Sequence, residues 1–182
     1  MKNEVRIIGG TWRSRKIRFP DSPGLRPTPD RVRETLFNWL GQELDGLVCL
    51  NLYAGSGVLG FEAASRGAKR VVQVERNPEA CFALKQNCDL LNALTVQIVT
   101  MDIARFLAGP SEAFDVVFID PPFEQGLVEP CCRLLEEKSW LAPHARIYIE
   151  AEKDKVLDRL PDNWKSHRNK QAGGVGYHLY TR

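Results

Sequence analysis

The sequence predicts an α/β fold, in which helices cover both faces of a mostly parallel, doubly wound sheet. From Leu47 to Glu150, apolar runs rich in β-branched residues alternate with segments of helical periodicity, and the connections between them are short. The apolar runs show little alternation of polar and apolar residues, as expected of strands that are buried on both faces.

The N-terminal region is predicted to be a small basic extension. The segments VRIIGG and RKIRF flank TWRS, as in a short β-hairpin, and the proline-rich FPDSPGLRP follows as a linker. A helix is predicted within TPDRVRETLFNWLGQEL, with Thr28 as its N-cap and Pro29 at its first position. Arg31 and Arg33 are expected to lie off its apolar face. Four residues at helical spacing form that face: Val32, Leu36, Trp39 and Leu40.

Five strands and four helices are predicted to follow. The strands are LVCLNLY, RVVQVE, TVQIVT, FDVVFID and ARIYIE. The helices lie in VLGFEAASRG, with Gly67 as C-cap, in PEACFALKQNCDLL, after Asp102, and in LVEPCCRLLEEK, where Pro130 fits only the first turn. NWKSHRNK and GVGYHLYTR predict a terminal antiparallel hairpin, joined by QAGG, which completes a seven-stranded sheet. We expect one domain overall, with the hairpin and linker in residues 1–27 and the α/β domain in residues 28–182.

The composition is typical of a folded domain. The chain has 182 residues, of which 43% are hydrophobic and 26% charged. No apolar run approaches the roughly 20 residues of a membrane-spanning helix, and no apolar leader follows the first basic residues, so we expect a cytoplasmic protein. The five cysteines lack CxxC spacing and the three histidines are scattered, which predicts buried thiols and no metal site. No unexplained apolar helix stripe stands out, so we expect a monomer.

Charge is segregated along the chain. Residues 1–40 carry a net charge of +5, residues 41–150 carry −6, and residues 151–182 carry +3. Basic ends around an acidic middle indicate that the two ends contact a polyanion, although a solvated surface would give the same pattern.

A glycine motif follows the first strand of the α/β region. Gly55, Gly57 and Gly60 match GxGxxG between a strand and a helix, where small residues let the backbone approach a ligand at a helix N-terminus. Glu75 ends the next strand about 20 residues later, where a carboxylate can accept both hydroxyls of a ribose. Either a nicotinamide dinucleotide or S-adenosylmethionine fits these residues.

Two features favour S-adenosylmethionine. Asn51 ends the strand on a polar residue, and Tyr53 and Ala54 leave a loop for an amino-acid moiety before the glycines. The chain also lacks room for the second domain that a dehydrogenase usually needs. Asp102, after the third strand, is placed either to receive an adenine amino group or to cap the following helix.

The most specific signal is the sequence Asp120-Pro121-Pro122-Phe123, directly after the fourth strand. Two prolines stiffen the loop and remove two N–H donors, so the loop presents carbonyl oxygens. The Asp120 carboxylate and the Pro121 carbonyl can accept the two N–H groups of an exocyclic base amine, aim its lone pair at a methyl sulfonium and stabilise the developing positive charge. Phe123 would stack on the base, worth about 1–3 kcal/mol. A proline turn with Asp120 as a cap is the alternative.

These residues resemble a known family. DPPF resembles the Asp/Asn-Pro-Pro-aromatic motif of amino-directed nucleic-acid methyltransferases, and RIIGG, RSRK, LRPTPDRVRETLFNWL and LYAGSGVLGFEAASRGA resemble the RsmD family from about Val5 to the last strand. The resemblance implies a Rossmann-like S-adenosylmethionine-dependent methyltransferase fold and methylation of guanine N2 in 16S ribosomal RNA, within a small-subunit particle that contains ribosomal proteins. The family usually has Asp where this chain has Asn51, which brings no negative charge.

The resemblance also implies site residues. Asp120, Pro121, Pro122 and Phe123 would hold the guanine. S-adenosylmethionine would be bound by Asn51, Tyr53, Ala54, Gly55, Ser56, Gly57, Leu59, Glu75, Arg76, Asn77, Asp102, Ile103 and Asp120. RNA phosphates would be bound by Arg6, Arg13, Arg15, Lys16, Arg26, Arg31 and Arg33. A DNA adenine or cytosine amino methyltransferase and a non-catalytic RNA-binding assembly factor remain the alternative functions, and a dehydrogenase is the weakest.

Overall fold

The computed structural model describes residues 3–123 and 125–182. Its strands are β1 Asn3–Arg6, β2 Lys16–Phe19, β3 Val48–Leu52, β4 Arg70–Glu75, β5 Val96–Thr100, β6 Phe114–Ile119, β7 Leu141–Glu152, β8 Lys165–Ala172 and β9 Val175–Thr181. Its helices are α1 Asp30–Leu40, α2 Val58–Ser65, α3 Pro78–Leu91, α4 Ile103–Leu107 and α5 Val128–Glu137.

The strands form two sheets. β1 and β2 pair as an antiparallel hairpin, and the other seven strands form one sheet in the order β5-β4-β3-β6-β7-β9-β8. The pairs from β5 to β7 are parallel, whereas β9 pairs antiparallel with both β7 and β8. The predicted mostly parallel, seven-stranded sheet with a terminal antiparallel hairpin and an N-terminal hairpin is confirmed. The strand order reverses between β3 and β6, where open α/β sheets bind their ligands.

Apolar side chains cover both faces of the large sheet. One face packs against α1, α2, α3 and the N-terminal hairpin, and its core includes Ile7, Ile17 and Phe37, all fully buried. The other face packs against α4 and α5, and its core includes the buried side chain of Trp140. The Trp140 indole N–H donates to the carbonyl of Leu107 at 3.0 Å, so its single donor is satisfied inside the core. In the described residues, no helix has the length and apolar character needed to cross a membrane.

The helix ends agree with the sequence predictions except at α1 and at the C-terminus of α2, where the C-cap is Arg66 and not Gly67. Pro29 occupies the N-cap position, α1 begins at Asp30, and no side chain caps it. The prediction that Thr28 caps α1 is wrong, because its hydroxyl donates instead to a buried carboxylate, Glu150, at 2.9 Å. Gly67 lies one residue beyond the C-cap of α2, with φ 93°. Pro130 is the third residue of α5 and so lies in its first turn, as predicted.

The cysteines are free thiols. Four of the five are buried and Cys88 is half-buried, and burial raises the pKa of Cys49 to about 12. Among the described residues, no group of three or more histidine, cysteine or acidic side chains is arranged to hold a metal ion.

Candidate active site

The predicted cofactor and base-binding residues lie at one edge of the large sheet. They follow β3, β4, β5 and β6, which are neighbours in the sheet and run parallel, so their carboxyl ends meet. The structure therefore brings together four segments that are far apart in the sequence: residues 51–59, 75–77, 102–103 and 120–123.

The glycine motif is shaped by packing as well as by its backbone conformation. Gly55 and Gly57 have φ 54° and 76°, in the left-handed region. A Cβ on Gly57 would lie 2.2 Å from Cδ2 of Leu84, and one on Gly60 would lie 2.5 Å from the side chain of Gln73. A Cβ on Gly55 would have only ordinary contacts, of which that with Leu25 at 3.8 Å is among the nearest. Gly57 and Gly60 thus bring α2 close to the sheet, and Gly55 is the least crowded of the three.

Glu75 organises the loop from the end of β4. Its Oε2 accepts from the backbone N–H of Gly55 at 2.9 Å, and its Oε1 accepts from the backbone N–H of Asn77 at 2.8 Å. A carboxylate can accept about four hydrogen bonds, so each oxygen keeps a lone pair for a ribose hydroxyl. Asn77 is also the N-cap of α3, and its side chain accepts from the backbone N–H of Glu79. Arg76, between them, is exposed.

Asn51 is oriented by a buried neighbour. The side chain of Asn51 is 2% exposed, and its Nδ2 donates to Oε1 of Gln73 at 2.9 Å, on the paired strand β4. Nε2 of Gln73 is buried and has no hydrogen-bond partner within the described part of the chain. Asn51, the residue at which this sequence departs from the family pattern, is therefore hydrogen-bonded to Gln73. The Nε2 donor of Gln73 is itself unsatisfied within the described residues.

Asp102 caps α4, as one of the two interpretations of the sequence predicted. Its Oδ1 accepts from the backbone N–H of Arg105 at 3.2 Å, and its side chain is exposed. Ile103, the first residue of α4, is buried. The cap leaves Oδ2 of Asp102 accessible, so the role of adenine acceptor stays a prediction.

The Asp-Pro-Pro-Phe loop begins directly after β6, as predicted. Pro121 is buried, whereas Pro122 and Phe123 are exposed, Phe123 by 38%. Asp120 is half-buried. This burial raises its pKa well above the ordinary value, and the negative charge of Glu150 raises it further. The loop thus presents a desolvated carboxyl group next to an accessible aromatic ring.

A second carboxyl group beside Asp120 was missed by the sequence analysis. Ile119 and Ile149 are paired in register on parallel strands, so Asp120 and Glu150 are the next neighbours along β6 and β7. Glu150 is 5% exposed, and its Oε1 accepts from the hydroxyls of Thr28 and Tyr148, each at 2.9 Å. The available signal was a glutamate that ends a predicted buried strand at the same edge as Asp120.

Six of the seven residues predicted to bind RNA are at the surface: Arg6, Arg13, Arg15, Lys16, Arg26 and Arg31. Three of them already have partners. Arg6 pairs with Asp30 at 2.9 Å, Lys16 pairs with Glu4 at 3.1 Å, and Arg15 donates to the carbonyl of Leu90 at 2.7 Å.

The prediction that Arg33 binds RNA is wrong. Its side chain is fully buried and forms an ion pair with Glu62, which is also fully buried. It donates as well to the carbonyls of Thr28 and Arg6, at 2.9 and 2.8 Å, and pairs with Asp30. Every face of the guanidinium that could meet a phosphate is occupied by the protein.

Known proteins are similar to this chain in both sequence and fold. Residues 5–181 match the family described as Conserved hypothetical protein 95. The chain is 48% identical over 179 residues to Ribosomal RNA small subunit methyltransferase D of Escherichia coli K12, and the match covers 98% of this chain and 90% of that protein. The structure of the methyltransferase yhhF of Escherichia coli matches with 44% identity and a TM-score of 0.92, over 99% of this chain and 98% of that one.

A more distant likeness concerns the fold alone. The methyltransferase SMU.776, whose crystal structure contains SAH, is 15% identical with a TM-score of 0.68, over 84% of this chain and 48% of that one. The predicted Rossmann-like methyltransferase fold is thereby confirmed. Because the family match and the 48% identity extend over nearly the whole sequence, the chain belongs to the ribosomal RNA small subunit methyltransferase D family, the RsmD family.

Proposed function

We propose that this protein transfers a methyl group from S-adenosylmethionine to the exocyclic N2 amino group of a guanine in 16S ribosomal RNA. One observation carries the proposal: the Asp-Pro-Pro-Phe loop at the end of β6 lies beside the glycine loop at the end of β3, on paired parallel strands. A base amine held by the first loop is thus adjacent to a ligand held by the second. The curated relative named for small-subunit ribosomal RNA supports the choice of substrate.

The residues at the carboxyl ends of β3 and β4 fit S-adenosylmethionine. Glu75 keeps a lone pair on each oxygen for the ribose, Gly55 leaves space beside the backbone, and Asn51 offers a neutral amide near the end of β3. When bound there, S-adenosylmethionine supplies an electrophilic methyl group on a sulfonium. No metal ion is needed for this transfer, because the leaving group is already positively charged.

The residues that follow β6 hold the exocyclic amine of the guanine. Asp120 and the carbonyl of Pro121 accept its two N–H groups, which fixes the nitrogen and stabilises the positive charge that develops on it. Phe123, exposed at the rim, stacks on the base. A base of single-stranded or looped RNA can reach this position unstacked.

Exposed cations complete the proposed interface. Arg13, Arg26 and Arg31 contact phosphates, and Arg6, Arg15 and Lys16 contribute more weakly because each already has a partner in the protein. We propose that the substrate is a small-subunit particle with ribosomal proteins, bound by one copy of the chain in the cytoplasm. The modest number of cations without a partner in the described part of the chain supports a particle over naked RNA.

The test is transfer of labelled methyl groups to small subunits that lack their own methylation. The intact protein should give N2-methylguanine. Asp120→Ala should abolish transfer while S-adenosylmethionine binding, measured by calorimetry, persists. Asp162→Ala, which removes an exposed carboxylate from the chain, is the matched control and should be active. Label on duplex DNA instead of RNA would identify a DNA amino methyltransferase, and tight RNA binding without any turnover would identify an assembly factor.

A further inference from the structure

Two neighbouring carboxyl groups, one buried and one half-buried, lie at the proposed transfer site. Asp120 directly follows β6 and is the cross-strand neighbour of Glu150 of β7, and neighbouring strands are only about 4.8 Å apart. Two carboxylates this close in a desolvated place do not both ionise readily, since each negative charge opposes the other. Such pairs hold a proton between them over a range of pH in which isolated carboxyl groups would be ionised.

The contacts of Glu150 favour its ionised form. Both of its donors, the hydroxyls of Thr28 and Tyr148, reach the same oxygen, Oε1, at 2.9 Å. Hydrogen bonds donated to a carboxylate stabilise its charged form. A proton taken up by the pair is therefore held mainly by Asp120, beside the negative charge of Glu150.

We propose that Glu150 is a positioning residue whose negative charge makes Asp120 the proton acceptor of the reaction, with the proton released by the guanine shared by the two carboxyl groups after transfer. The inference rests on the proposed methyl transfer. The bond from the guanine N2 to the methyl carbon forms as the bond from sulfur to that carbon breaks, and its electron pair goes to sulfur. N2 is then cationic and gives one proton to the Asp120 carboxylate, and the pair returns that proton to water after the product leaves.

The segment that precedes α1 has a role in this pair, through Thr28. Thr28 lies in the RPTPDRVRE segment, and its hydroxyl reaches across the fold from residue 28 to residue 150. Tyr148 belongs to the same strand as Glu150, and Tyr177 of β9 is paired with Glu150 in register. Asp120, Thr28, Tyr148 and Tyr177 are the groups that face Glu150 from the elements packed around it. Burial is the cause of the raised pKa of Glu150, and the hydrogen bonds from Thr28 and Tyr148 act in the opposite direction.

The first test needs neither cofactor nor RNA. The side-chain carboxyl carbons of Asp120 and Glu150 are followed by carbon-13 NMR as a function of pH in the intact chain, in Glu150→Gln and in Asp120→Asn. We expect two coupled titrations in the intact chain, and in each variant a single titration that lies below the upper of these two, because the neighbouring charge is gone. Glu137→Gln, an exposed glutamate on α5, should change neither. An Asp120 titration that is the same with and without Glu150 overturns the inference.

Tyr148→Phe is a second variant, in which the titration of Glu150 should shift in the opposite direction. Its hydroxyl favours the ionised form of Glu150, so its loss should move the titration of Glu150 to higher pH. Circular dichroism establishes that each variant is folded. If the Glu150 titration does not respond to Tyr148→Phe in a folded protein, the proposed arrangement of the pair is wrong.

Turnover separates this inference from the proposed function. With small subunits as substrate, Glu150→Gln should lower kcat about tenfold or more, leave KM nearly unchanged and move the acid limb of the pH profile to lower pH. In an Asp120→Asn background it should have no further effect. An equal loss at every pH, with an unmoved acid limb, would show a structural role only and overturn the inference. Absence of turnover in the intact chain would refute the proposed function, while the NMR titrations still decide the pairing.

Discussion

Arg33 of α1 and Glu62 of α2 form an ion pair from which water is entirely excluded. Glu62 also accepts from the backbone N–H of Ile8 at 2.7 Å and from Arg66 at 3.4 Å, and Arg33 donates to the carbonyl of Arg6. The pair thus joins the N-terminal hairpin to two helices of the main domain. Burial raises the pKa of Glu62, although the Ile8 N–H and the charges of Arg33 and Arg66 act in the opposite direction.

Removing Arg33 should therefore destabilise the whole fold. Arg33→Met leaves Glu62 buried without its main partner, and breaking a buried pair in this way costs about 3–5 kcal/mol. Urea unfolding followed by circular dichroism measures the free energy of unfolding. The control is Arg31→Met, which changes an exposed arginine two residues earlier on the same helix and should cost less than about 0.5 kcal/mol. Similar values for the two variants would contradict the structural role of Arg33.

The elements of the fold were predictable, whereas the burial of particular polar residues was not. Apolar runs predicted the five strands β3 to β7 and helical periodicity predicted the helices, since those patterns depend on local sequence. Arg33 was placed on the surface because a helix was expected to bury only one face. The Arg33 side chain instead meets the carbonyl of Arg6 and the carboxylate of Glu62, and those contacts depend on residues far away in the sequence. Local sequence predicts Thr28 as a cap for the same reason, since its actual partner, Glu150, lies 122 residues away.

Gly57 should tolerate no side chain. Its φ of 76° costs an L-residue about 1–2 kcal/mol, and a Cβ would lie 2.2 Å from Leu84. Overpacking of a core adds about 1–3 kcal/mol. We expect Gly57→Ala to lower the free energy of unfolding by about 2 kcal/mol or more and to weaken S-adenosylmethionine binding in calorimetry. Gly174→Ala, where a Cβ would meet no atom within 4 Å, is the control. Unchanged stability in Gly57→Ala would show that α2 can move away from α3.

Asn51→Asp should strengthen cofactor binding. The introduced carboxylate cannot donate to Gln73, but rotation of the Gln73 amide would let its unsatisfied Nε2 donate to that carboxylate. The carboxylate also adds a negative charge for the ammonium group of S-adenosylmethionine, and charged hydrogen bonds are about twice as strong as neutral ones. We expect Kd to fall about threefold to tenfold, equivalent to about 0.7–1.4 kcal/mol. Methylthioadenosine, which lacks the amino-acid part, should bind both forms equally. A weaker affinity for S-adenosylmethionine would mean that Gln73 does not rotate.

The sequence predicted where the site lies, but it did not predict every residue that forms it. The glycine loop, Glu75 and the Asp-Pro-Pro-Phe loop were found because the ends of parallel strands meet at one edge. Glu150 was overlooked because its strand ends in an ordinary-looking glutamate, and only the register of β6 with β7 shows that it lies beside Asp120. Register between strands is set by packing across the whole sheet, so a local pattern does not contain it.

Arginines without a partner in residues 3–123 and 125–182 should contribute more to RNA binding than paired cations. Arg13→Ala and Arg26→Ala each remove an exposed cation, so each should weaken binding and reduce the slope of log affinity against log salt by about 0.7 for single-stranded RNA. Lys16→Ala should have a smaller effect, because Lys16 already neutralises Glu4 at 3.1 Å. Fluorescence anisotropy with a labelled RNA at several salt concentrations measures both quantities. Equal slopes for all three variants would place the RNA elsewhere.

Glu150→Gln should improve stability at high pH relative to low pH. Burial raises the pKa of Glu150 in the folded protein, so the unfolded chain loses this proton first as the pH rises. The contribution of Glu150 to stability is therefore full below the ordinary glutamate pKa and is lost as the pH rises through the folded value. A glutamine has no such loss. We expect the stability of Glu150→Gln relative to the intact chain to increase from about pH 4 to about pH 8 in urea unfolding, with Glu137→Gln as the exposed control. A difference that is constant with pH would show that Glu150 does not hold a proton in the folded protein.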